Sequence, residues 1–170
     1  MTFVHYSGVP IETLKPNFDY KLRCAAPESV RMMSKPEGLW FSVESDEEDG
    51  WKQWCIDEDY NIDGLKYPYQ LHLKEDTKIL HLKTADDIIA FSKVHCTYSR
   101  GNPFSQEIDS FKVDWSLVKF KFQGIVIAPY QWDCRLHEET MWYYGWDCAS
   151  GCIWDISAIE RIELLMDNTQ

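Results

Sequence analysis

Five histidines, His5, His72, His81, His95 and His137, are the side chains of this sequence that titrate near neutral pH. His72 and His81 stand in alternating segments and read as cross-strand or surface residues. His95 and His137 have polar, loop-like surroundings. His5 differs. It closes a short apolar stretch and is followed by Tyr6, Ser7 and Gly8. A glycine just past a strand lets a ligand approach the backbone closely. The alternative for His5 is a structural imidazole hydrogen-bonded at a strand end.

Two tryptophans form the next candidate pair. Trp40 lies in a strand-like segment, and Trp51 follows an acidic loop. Two such faces can hold a flat heteroaromatic ring between them. With eight tryptophans in the chain, core or edge packing is the competing reading. Cys134 and His137 form C-x2-H, and Cys148 and Cys152 form C-x3-C, a set that would make a tetrahedral zinc site. The knuckles are irregular, which disfavours zinc. No GxSxG, phosphate loop or GxGxxG occurs. The acidic run at 45–49 lacks calcium-loop spacing and reads as a solvated loop.

These residues need elements to hold them. Strand signals cover residues 3–6, 38–43, 70–73, 78–82, 118–122, 124–128, 151–154 and 159–165. The run GIVIA at 124–128 is continuously apolar, as in a strand buried on both faces. Helix signals cover 11–14, 50–56 and 84–94. In the last, Thr84 is the N-cap and Asp86 and Asp87 occupy the first turn. Residues 45–50 and 99–103 read as loop and turn. Strands do not alternate with long helices, which excludes a doubly wound sheet. The expected fold is α+β, with two small, mostly antiparallel sheets and short helices in one domain, 1–170.

Composition narrows the function. At 45% hydrophobic and 15% aromatic, the chain is built to bury a core and is not a disordered segment. It carries 28 acidic against 17 basic residues, a net charge of −11 that disfavours a nucleic-acid partner. Lys112, Lys119 and Lys121 read as the wet side of strands. The first residues, MTFVHY, carry no secretory signal, and no apolar run approaches the ~20 residues of a membrane span. The six cysteines then read as reduced thiols. The expected location is cytoplasmic, or inside a host cell reached by a signal-independent route.

Three pieces together resemble the ADP-ribosyltransferase fold of the diphtheria-toxin and poly(ADP-ribose) polymerase type. FVHYSG, residues 3–8, resembles that family's opening strand, which ends in His followed closely by Gly. KPEGLWFS, residues 35–42, resembles its Gly-apolar-Tyr-aromatic strand, with Trp40 at the Tyr position and Trp51 eleven residues on at its second aromatic. SGCIWDISAIERIELL, residues 150–165, resembles its late catalytic strand. The resemblance implies an NAD site: His5 on a ribose, the backbone near Tyr6 and Gly8 on the nicotinamide amide, Trp40 and Trp51 around its ring, and Ser42 beside them. The family's catalytic Glu falls on Ser150, which brings no charge. Asp147 is the candidate to supply it. The expected activity is transfer of single ADP-ribose units to a protein or small-molecule acceptor. The alternative is a non-enzymatic NAD, ADP-ribose or protein-binding module.

Overall fold

A computed structural model describes residues 1–12, 35–46, 48–99 and 110–165. Seven strands form one sheet: β1 (Thr2–Ser7), β2 (Leu39–Glu44), β3 (Tyr67–Leu73), β4 (Ile79–Leu82), β7 (Gly124–Ile127), β8 (Ser150–Ile153) and β9 (Ile159–Leu164). Their spatial order is β4-β7-β8-β2-β1-β3-β9. β5 (Cys96–Ser99) and β6 (Ser110–Val113) make a separate antiparallel pair. Three α-helices occur among the described residues: α1 (Trp51–Asp57), α2 (Ala85–His95) and α3 (Trp115–Lys121). The fold thus mixes helix and strand, but the larger sheet is not small. One of its pairings, β4 with β7, is parallel.

The link from β8 to β9 determines the sheet's shape. Every pairing between them is antiparallel, so β8 and β9 run in the same direction. Across a flat sheet they would stand four strand spacings apart, ~19 Å, and the link would also have to return along a strand length. Only six steps join Ile153 to Ile159, ~20 Å at full extension. Ile156–Ala158 is also wound into a 3-10 turn. The sheet must therefore fold over on itself. The fold falls between β1 and β2, where the ladder holds only Thr2↔Glu44, Phe3↔Val43 and Val4↔Ser42. Beyond Val4, β1 keeps pairing with β3 as far as Ser7, and β2 keeps pairing with β8 as far as Leu39. A notch opens between the two strands.

Inside the fold lie Leu39, Phe41, Val43, Leu71 and Ile153. Gly151 lets this layer close: a Cβ there would collide with the Phe41 ring and sit 2.6 Å from the Ile125 carbonyl. The opposite face carries Trp40, Ser42, Ser150, Ile125 and Ile127 by register. Ring contacts lead from this face into the helical layer, from Trp40 to Trp146 at 4.8 Å, on to Trp142 at 6.4 Å, and to Phe91 of α2 at 5.1 Å. α2 starts at a reciprocal cap: Thr84 Oγ1 accepts from Asp87 N–H at 3.1 Å, and Asp87 Oδ2 accepts from Thr84 N–H at 2.9 Å.

The expected strand at 118–122 is helix instead. Asp114 caps α3 by accepting from Ser116 N–H at 3.0 Å. Trp115, Val118 and Phe122 recur at i, i+3 and i+7, and Val118 is fully buried. The same spacing also alternates with lysines, which is why it read as a strand. Lys119 and Lys121 line a groove of about 400 Å³ with Lys78 and Phe120. Within the segment expected as a solvated loop, Glu48 is tied down: its Oε1 accepts from Tyr130 N–H at 2.6 Å. Residues 13–14 of the expected 11–14 helix and 100–103 of the expected 99–103 turn lie outside the described residues, as does Cys24. No helix of the described residues is long and apolar enough to cross a membrane.

Gly151→Ala is expected to cost about 1–3 kcal/mol, as overpacking a closed layer does. Urea unfolding of the variant beside the wild-type chain measures it.

Candidate functional site

His5 spans the notch. Its Nδ1 lies 2.7 Å from the Trp40 carbonyl. A carbonyl only accepts, so Nδ1 carries the proton. Burial lowers the imidazole pKa, and the Trp40 hydrogen bond opposes this more weakly. The ring is therefore neutral, with the Nε2 lone pair free to accept a hydroxyl. Past Val4 and Ser42, neither strand edge is paired across the notch. Such an edge offers backbone N–H and C=O groups that match a carboxamide.

On the sheet face opposite the inner layer, alternation brings together Tyr6 of β1, Trp40, Ser42 and Glu44 of β2, and Ser150 of β8. Ser42 sits directly across from Ser150. Ser42 Oγ accepts from Trp51 N–H at 2.8 Å, which fixes the start of α1 above the face. Trp51 stacks on Trp54 at 4.9 Å, and Trp40 meets the edge of Trp146. Lys35 Nζ lies 5.0 Å from the Trp40 ring centre. Each tryptophan is thus engaged by two protein partners, Trp40 by Trp146 and Lys35, and Trp51 by Trp54 and Tyr60.

The hydroxyl of Ser150 is committed too. It is 8% exposed and donates to the Cys148 carbonyl at 2.9 Å. Asp147 lies in the loop before β8 and approaches Arg135 at 3.7 Å. Burial raises its carboxyl, while Lys35 and Arg135 pull the other way. Arg135 in turn lies against the Tyr144 ring at 5.1 Å. Gly8 follows β1, and a Cβ added there would stand 3.2 Å from the Asp63 carbonyl of the 3-10 turn Ile62–Leu65.

Glu44 escaped the reading of the sequence. Its Oε1 accepts from Tyr6 O–H at 3.1 Å. Burial, and then Glu44's charge, raise the Tyr6 phenol well above its usual value. The signal for Glu44 was present: it follows Trp40 and Ser42 at i+4 and i+2 along one strand face.

The thiols here are poor nucleophiles. Burial pushes Cys148 up to about 12 and Cys55 up to about 11. The suggested zinc set is dispersed. Cys134 Sγ lies 3.9 Å from the Ala85 carbonyl, and Cys152 Sγ lies 3.7 Å from the Pro36 carbonyl. Among the described residues, no three His, Cys, Asp or Glu side chains form a metal cage. The described cysteines are free thiols.

No protein-family model, curated protein or solved structure matches this chain.

The lowered pKa of His5 has a signed consequence. Between its folded value and 6.5, the unfolded chain holds a proton that the folded chain does not. Stability therefore falls as pH drops through 6.5. His81 and His95, also lowered by burial, add to the same window. His5→Gln should flatten that slope by one histidine's share, measured by urea unfolding between about pH 5 and 7. An unchanged slope would assign the effect to His81 and His95.

Proposed function

We propose that this chain is an ADP-ribosyltransferase-like protein that binds NAD in the notch between β1 and β2. The observation that carries the reading is the joint itself. His5 is locked to the Trp40 carbonyl across a ladder that stops at Val4↔Ser42, and Trp40, Ser42 and Ser150 share one face. Three separate pieces of sequence meet there.

In this reading the nicotinamide amide pairs with the open backbone edge near Tyr6. Its ring lies against Trp40 and Trp51. The neutral Nε2 of His5 accepts a ribose hydroxyl. The acidic chain favours a protein or small-molecule acceptor over nucleic acid. A second reading has its own support. Because Ser150 donates inward to Cys148 and has no charge, the domain would read NAD or ADP-ribose without transferring it.

Titration with NAD should quench tryptophan fluorescence saturably. Trp51→Ala and Trp40→Ala should each weaken binding about tenfold, the effect of losing one aromatic face. Absence of quenching at millimolar NAD would sink both readings.

A further inference from the structure

With Ser150 uncharged and turned inward, a transferase at this notch needs its anion from elsewhere. Breaking the bond between ribose C1′ and nicotinamide leaves positive charge on C1′ and the ring oxygen. Ser42 faces Ser150 across the β2–β8 ladder, so Glu44 is the diagonal neighbour of Ser150 on the same face. Such diagonals lie about 7–8 Å apart at Cα, within reach of long side chains. Tyr6, from the other side of the fold line, holds Glu44 Oε1 in place. The rival carboxylate is worse placed. Asp147 belongs to the loop before the strand, is engaged by Arg135, and is pushed toward its neutral form by burial.

We propose that Glu44 is the carboxylate that stabilises the ribosyl cation, and that Tyr6 positions it. The inference rests on the NAD reading above. The C1′–N bond breaks with its electron pair leaving on nicotinamide, whose ring becomes neutral. An acceptor hydroxyl, or water, then bonds to C1′ and gives up its proton to solvent. Glu44 stays ionised throughout and exchanges no atoms. Its charge balances the cation between the two steps.

The test pairs NAD binding, read by tryptophan quenching, with nicotinamide release from NAD in water. It compares wild type, Glu44→Gln, Asp147→Asn and Tyr6→Phe, with thermal melts to confirm folding. Glu44→Gln should bind NAD nearly as wild type does and lose release about 100-fold or more, the usual cost of removing one preorganised charge. Glu44→Asp should recover part of it. Tyr6→Phe should lose release about tenfold while NAD binding holds, since the carboxylate loses the donor that keeps it in place. Release at the wild-type rate in Glu44→Gln overturns the proposal, most directly if Asp147→Asn abolishes it. Wild-type binding without release overturns it and leaves the NAD reader standing. Wild type that neither binds NAD nor releases nicotinamide removes the NAD reading and this proposal together.

Discussion

Six steps of chain between Ile153 and Ile159 shape the whole molecule. They join two strands that run the same way at separated positions of one sheet. A flat sheet leaves too long a path for so short a link, so the sheet folds along its weakest ladder. Everything at the candidate site follows from that fold line. It leaves edges of β1 and β2 unpaired, gives His5 a carbonyl to hold, and stacks Leu39, Phe41 and Leu71 in a closed inner layer. Gly151 is one residue at which that layer tolerates no added methyl.

The polar groups around the notch differ in how far they are already engaged. Ser150 and Ser42 are bound to backbone groups, and Asp147 approaches a guanidinium. His5 has one nitrogen engaged and one lone pair left. Glu44 receives a phenol proton on one oxygen. Burial keeps the nearby thiols protonated. The site is therefore suited to receiving hydroxyls and amides and to opposing a positive charge, rather than to attacking with sulfur.

Much of this was legible in the sequence, because local rules govern it. β1, β2, β3, β4, β7, β8 and β9 all overlap segments with apolar or alternating patterns, and Thr84 caps α2 with Asp87. What failed had several causes. The 118–122 segment has a pattern that serves strand and helix alike, and Asp114 decides for helix. The single folded sheet was hidden because its register depends on a link whose shortness matters only once strand directions are known. β5 and β6 were missed because CTYS and SFKV hold at most one aliphatic residue each, a weaker signal than ILHL of β4 or GIVI of β7. Glu44 was missed because it falls between the strand signal at 38–43 and the acidic loop at 45–50, although its strand face pairs it with Ser42 and Trp40.

The strands that close the sheet are made last. β2 waits for β8 and β3 waits for β9, each across most of the chain's length. During synthesis, Leu39, Phe41 and Val43 leave the ribosome long before Gly151 and Ile153 exist to cover them. Contacts so distant in sequence form slowly. The nascent chain therefore carries an open apolar edge until its final segment emerges, and a product cut short before Ser150 has neither the inner layer nor the notch.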